Sequence, residues 1–258
     1  MISHAGRPPA WTYWVVLPSV ILLWALAAMV LDSNLLPAPS TVMATLLDEA
    51  ANGQLWYHLG ATLRRVIIAF SVAMAVGTAI GLAMGRSAVT NALFDPLLVV
   101  LLNLPALVTI ILMYVWFGLV ETAAVLAVVI NKVPNVAVTV REGARSLDSR
   151  LEQMARVYRF TRWQRFREVW VPQLFPYLMA ATRGGLALIW KIVLVVELLG
   201  RSNGVGFQLH MAFQVFDVAT ILAYSLAFIT IVQLIELAIL QPLDRRANRW
   251  RQPGVAHA

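Results

Sequence analysis

Residues 141–172 read REGARSLDSRLEQMARVYRFTRWQRFREVWVP, and this stretch decides the architecture. It places eight arginines (Arg141, Arg145, Arg150, Arg156, Arg159, Arg162, Arg165 and Arg167) in a polar island between apolar segments long enough to cross a bilayer. Lysine and arginine resist translocation, so loops dense in them mark the inner side of a membrane protein. The island is therefore expected in the cytoplasm. It also carries internal order. Ser149 followed by Glu152, and Thr161 followed by Gln164, match the capping-box pattern of a helix start. Two short helices are predicted, roughly 150 to 158 and 162 to 170, with a turn between them. Such a folded loop suits docking of a partner.

Composition sets the same scene. The 258 residues are 60% hydrophobic and only 13% charged, with a mean hydropathy of +0.75. That is too apolar for a soluble domain. The net charge of +7 is accounted for by membrane topology, so no nucleic-acid partner is expected. No cysteine is present, and His4, His58, His210 and His257 are scattered, so no metal site is expected.

A helix needs about 20 apolar residues to cross a membrane. Six spans are predicted on that basis, at about 12–31, 59–84, 93–113, 122–140, 173–199 and 218–240, with the loop 141–172 between the fourth and fifth. The fold class expected is all-α, a polytopic single-domain membrane protein. The first span reads as an uncleaved anchor. Arg7, Arg86, the island and the tail arginines Arg245, Arg246, Arg249 and Arg251 fall on one side, against Arg201 alone in the outer loops. Both termini are thus predicted to be cytoplasmic. Trp11, Tyr13, Trp14, Trp56, Tyr57, Trp116 and Trp250 fall near predicted interfaces, where aromatic belts form.

Several motifs resemble those of permease subunits of bacterial binding-protein-dependent ABC importers. QMARVYRFTRWQRFREVWVPQLFPYL (153–178) is similar to the family's "EAA" loop. TLRRVIIAF (62–70), DPLLVVLLNLPAL (95–107), VWFGL (115–119) and VVELLGRSNGVGF (195–207) are similar to the branch that imports sulfonates, taurine, nitrate or bicarbonate. Related members handle thiamin precursors. Two positions depart from the pattern. Gln153 replaces the family glutamate and removes a charge, and Arg159 stands where a glycine would end a helix cheaply. Either the turn is reshaped there or the first helix runs on.

The resemblance implies an inner-membrane permease that pairs with a second copy or with a different permease, receives solute from an external binding protein and is surrounded by lipid. It also implies a cytoplasmic ATPase holding ATP and Mg, engaged by Leu151, Glu152, Gln153, Met154, Ala155, Arg156, Tyr158, Arg159, Phe160, Thr161, Arg162 and Phe166. The chain has no phosphate-binding loop of its own, so no catalytic residue and no bound cofactor are expected in it.

Charges at membrane depth suggest function by default. Lys132 falls mid-span beside Asn131 and ahead of Pro134, Arg183 and Lys191 lie in the fifth span, and Asn103 lies in the third. These five are the candidate translocation-path residues, and the excess positive charge points to a small anionic solute. The bland alternatives are that Arg64 and Arg65 snorkel outward, Arg183 pairs with a neighbouring helix, and Lys191 neutralises Glu197 or Glu236. The NGVGF turn at 203–207 and the segment after it read either as an outer helix capping the path or as an ordinary connection. An ATP-independent secondary transporter is the competing class, although only Glu197 and Glu236 would supply acidic sites. An intramembrane enzyme would need a paired catalytic set, and none is spaced usefully within the spans.

Overall fold

A computed structural model describes residues 11–31, 33 and 35–243. The described residues form helices and turns, in the order α1 (Trp11–Leu31), α2 (Pro39–Ala51), α3 (Gln54–Arg86), α4 (Ala88–Asn103), α5 (Ala106–Phe117), α6 (Glu121–Arg145), α7 (Ser149–Val157), α8 (Arg162–Gly200), α9 (Val205–Gln214) and α10 (Val218–Leu243). Helices α3, α6, α8 and α10 are long and apolar enough to cross a membrane. The all-α membrane fold expected from the sequence is the one observed.

Two boundaries differ from expectation. The predicted third span is a broken one, since α4 and α5 meet at 99°. Pro105 cannot continue a helix, and a residue before proline is pushed to extended backbone. Leu104 accordingly sits at φ −75°, ψ 122°. Counting the bent pair as one, five spans pass by length and composition among the described residues. Helix α1 covers Trp11–Leu31, 21 residues, at the place of the predicted first span. Finally, the arginine loop is narrower than 141–172, because α6 runs on to Arg145 and α8 begins at Arg162. The second short helix expected at 162–170 is the first part of α8, and residues Arg165–Trp170 form a π-helical turn.

The bundle is built on α3, α6 and α8. Helices α3 and α6 run parallel and very close, because Ala69, Ala73, Gly77, Gly81 and Gly85 recur every fourth residue and so share one face of α3. A Cβ at Gly77 would lie 2.6 Å from Val136 Cβ, and one at Gly81 or Gly85 would run into the Ala137 carbonyl or the Ala144 methyl. Small residues permit this approach, which maximises packing where water supplies no driving force. Helix α8 runs antiparallel beside them. Gly143 of α6 lies against Tyr177, and Gly185 of α8 lies under Lys132. A buried core of Val66, Ala69, Ala127, Val128, Ile189, Val193 and their neighbours fills the centre.

Candidate functional site

The arginine end of the bundle presents α7. Asp148, rather than Ser149, caps it by accepting a 2.7 Å bond from the Arg150 amide. Thr161 does form its expected capping box with Gln164, through bonds of 2.9 and 3.2 Å. Between them the chain turns at Arg159, whose φ is 53°. The Phe160 amide donates to Ala155 O at 2.8 Å and the Arg159 amide to Arg156 O at 3.0 Å, the paired bonds of a Schellman turn. Arginine thus occupies the left-handed conformation itself, and neither alternative drawn from the sequence is realised.

Glu152 holds this segment to the bundle. Its carboxylate accepts from Trp170 Nε1 at 2.9 Å and Arg165 Nη1 at 3.2 Å, with Arg86 and Arg156 both at 3.8 Å. Arg86 lies over the Trp170 ring, 4.6 Å from its centroid. The Trp170 hydrogen bond, followed by the nearby arginines, holds the Glu152 carboxyl below the usual range despite partial burial. Ala155 is buried beneath α7. Leu151, Gln153, Met154, Arg156, Tyr158, Arg159, Thr161, Arg162, Trp163 and Phe166 are exposed, and Phe160 is half-buried.

In the membrane interior the five path candidates separate. Lys132 is 3% exposed, enclosed between α6 and α8 where Gly185 leaves room for it; a Cβ there would lie 2.7 Å from Lys132 Cε. Among the described residues no carboxylate lies within salt-bridge distance of its ammonium. Asn131 is half-buried, and its amide donates back to Ala127 O at 2.8 Å. Arg183 pairs with Glu236 of α10 at 3.4 Å. Lys191 is exposed on α8, beside Ala106, Leu107 and Ile110 of α5. It neutralises neither Glu197 nor Glu236, whose partners are Arg65 and Arg183. Asn103 is exposed at the end of α4, its amide bonded to Val99 O at 2.7 Å. The structure adds Asn135 and Thr139, half-buried at four-residue intervals after Asn131, each donating back to a carbonyl four residues earlier. That i, i+4, i+8 polar stripe is present in the sequence, but its uncharged residues stand out less than formal charges do.

At the end opposite the arginine loop lies a buried ionic cluster that sequence reading missed. Arg65 does not snorkel outward; it is 1% exposed. Its guanidinium donates to Glu197 at 2.6 Å, to Glu121 at 2.8 and 3.0 Å, and to Asn203 O at 2.9 Å, with Asn203 Oδ1 also in contact. Glu197, fully buried, accepts from Thr62 Oγ1 and from the Gly206 amide, both at 2.9 Å. The Val205 amide donates to Thr62 at 2.8 Å and the Gly204 amide to His58 Nδ1 at 3.0 Å. Gly204 has φ 110°, and a side chain there would strike the Glu197 carboxylate. Arg201 joins Glu121 at 3.0 Å. The NGVG turn is therefore fastened to α3, and α9 follows directly from it. Of the belt candidates, Trp56, Tyr57 and Trp116 are exposed near helix ends; the side chains of Trp11, Tyr13 and Trp14, and residues 244–258, lie outside the described residues.

Comparison with known proteins agrees with this architecture. Residues 73–246 match the family described as binding-protein-dependent transport system inner membrane component. The SsuC permease protein of Escherichia coli K12, named for aliphatic sulfonates transport, is 31% identical over 239 residues, covering 92% of this chain and 90% of that protein. The taurine transport system permease protein TauC of the same organism is 30% identical over 233 residues, 88% of this chain and 84% of its own. Among solved structures, a chain of the inward-facing MetNI methionine ABC transporter superposes with a TM-score of 0.63 at 16% identity, covering 73% of this chain and 93% of that one. The chain belongs to the binding-protein-dependent transport system inner membrane components, the permease subunits of ABC importers.

Proposed function

We propose that this permease carries a small anion, with a sulfonate or taurine-like solute as the leading case. The observation that carries the reading is Lys132, buried mid-membrane with no carboxylate partner among the described residues. An isolated ammonium in the interior is costly. A transported anion meeting it as α6 and α8 part would supply the missing counter-charge. Two relatives are named for sulfonate and taurine transport, which supports the same chemistry. Asn131, Asn135 and Thr139 continue a polar track along α6 from that point, and Lys191 adds a second positive charge on the exposed face of α8. Arg183 and Asn103 belong to the same set of path candidates, Arg183 tied to Glu236 and Asn103 at the α4 end. Replacing Lys132 by Met should lower uptake of a sulfonate in whole cells at least ~30-fold, the scale for removing one member of a buried charge pair, with membrane expression unchanged. Wild-type uptake in that variant would remove Lys132 from the path. If a neutral, thiamin-precursor-like solute proves to be the cargo and its uptake ignores the substitution, the anion reading falls.

In the same reading, energy comes from ATP and Mg held by a cytoplasmic ATPase that grips α7 and the turn after it, through the residues from Leu151 to Phe166. Both termini lie on that side, a second copy completes the path and an external binding protein delivers the solute. Copurification tests the ATPase link. Scrambling 151–166 should abolish recovery of a nucleotide-binding subunit while the membrane part stays folded. A stable wild-type chain that never captures one would instead favour the ATP-independent transporter.

A further inference from the structure

At the end of α8 opposite the arginine loop, a recess of about 360 Å³ opens between the last turn of that helix, the turn after it and α9. Leu198, Leu199 and Phe207 give it apolar walls, and Arg201, Ser202 and His210 give it polar groups. Arg201 stands between this recess and the buried ionic cluster. Its Nη1 donates to Leu119 O at 2.6 Å and its Nη2 meets Glu121 at 3.0 Å, while its Nε is buried with no hydrogen-bond partner among the described residues. A guanidinium carries five N–H donors, so donors remain unspent here. The Glu121 carboxylate is shared as well, since Arg64 lies 3.6 Å and Arg65 2.8 Å from it. Arg65 also holds Glu197. Arg64, Arg65 and Arg201 thus face Glu121 and Glu197, three positive charges against two negative ones, and one positive charge is left over at this end.

We propose that this recess is a binding site for a small organic anion with a short apolar tail, of the alkanesulfonate class. The inference rests on the anion reading above and adds a station ahead of Lys132. The surplus charge and the unspent donors take the anionic head. The leucine and phenylalanine walls take the methylenes, each worth about fourfold in affinity when fully buried. Apolar walls with a few placed polar groups are the ordinary form of a small-molecule site. Position supports the same role. Leu198 and Leu199 stand three and four residues beyond Val195, which lines a neighbouring recess together with Lys191, so the two recesses open on one face of α8. Lys191 precedes Arg201 by ten residues, about 15 Å along the helix. An anion released from Arg201 therefore has its next positive charge directly below it on the same face.

The experiment titrates the full chain, purified in mild detergent without any binding protein, with methanesulfonate, butane-1-sulfonate and the uncharged butan-1-ol, reading bound ligand by saturation-transfer NMR. Butane-1-sulfonate should bind roughly tenfold more tightly than methanesulfonate, and butan-1-ol should not displace it. Arg201→Gln should weaken butane-1-sulfonate about tenfold, the scale of one hydrogen bond to a charged group. Leu198→Trp, at a position 41% exposed, should fill the recess and abolish binding without removing any partner of Glu121, which keeps the test open if Arg201→Gln fails to fold. No binding by the wild type, equal binding of butan-1-ol, or undiminished binding in Leu198→Trp overturns the proposal. So does loss of binding in Lys132→Met alone, which would put the anion at Lys132 and leave the anion reading standing. That reading is judged separately, by sulfonate uptake in the Lys132→Met variant.

Discussion

At Arg159 an arginine holds a backbone conformation, φ 53°, that costs a non-glycine residue about 1 kcal/mol. The paired bonds to Ala155 and Arg156 keep the turn in place regardless. Arg159→Gly should therefore keep the turn and stabilise the 149–161 segment by up to about 1 kcal/mol, measurable as slower proteolysis of the loop. Glu152 gives a pH signature. Its folded pKa is depressed, so its contribution is complete above the ordinary glutamate range, near 4.3, and is lost as pH falls through the lower folded value. The loop should loosen as the pH falls below the ordinary glutamate range, and Glu152→Gln should remove that acid-dependent step from a limited-proteolysis profile. The third residue-scale expectation concerns Glu197. Removing one member of a buried ion pair costs about 3–5 kcal/mol, so Glu197→Gln should lower thermal stability in detergent sharply, whereas Glu142→Gln, at an exposed pair with Arg145, should change it little. The sequence marked Glu197 as a charge in a span but offered no means of pairing it with Arg65, 132 residues away. Long-range partners of this kind depend on which helix faces meet, and hydropathy alone does not specify that.

Among the elements, the spans were legible because hydrophobic length is a direct physical requirement of the bilayer. Their interruptions were only partly so. Pro105 was visible, yet whether a proline kinks a helix or breaks it depends on what surrounds the freed backbone groups. Here it breaks α4 from α5 at 99°. The overrun of α6 to Arg145 has a related cause. Arg141 meets Asp95, and Arg145 meets Asn91 at 2.8 Å, so contacts to α4 carry the helix past the point where apolarity ends. The small-residue ladder on α3 was present in the sequence as a repeat of four and went unread. Its contacts make a direct prediction. Gly81→Leu would force α3 away from α6 and destabilise the pair by at least about 1–3 kcal/mol, the usual overpacking cost. Thermal denaturation should show it. Gly184→Leu on the exposed face of α8, where an added Cβ meets nothing within 4 Å, should leave the isolated subunit's stability nearly unchanged.

For the whole molecule, the exposed face of α8 carries Ala180, Gly184, Ala187 and Lys191 at helical spacing. Small residues at membrane depth favour close helix association. If a second copy of the chain packs there, Gly184→Cys should crosslink two copies under mild oxidation. The chain has no cysteine of its own, so any disulfide would report that site alone. Absence of the crosslinked species in native membranes would place the partner on another face. The buried cluster has a consequence for movement. Thr62 and Arg65 of α3, Glu197 of α8 and the 203–206 turn share one connected set of hydrogen bonds, so these parts cannot slide past one another without uncovering a buried charge. They are held together as one unit, so bending of the molecule falls outside it. The 99° elbow at Leu104–Pro105 is the natural joint, because the backbone there is already released from helical bonding. Amides of the 203–206 turn should then exchange with deuterium among the slowest in the molecule, with those flanking the elbow among the fastest.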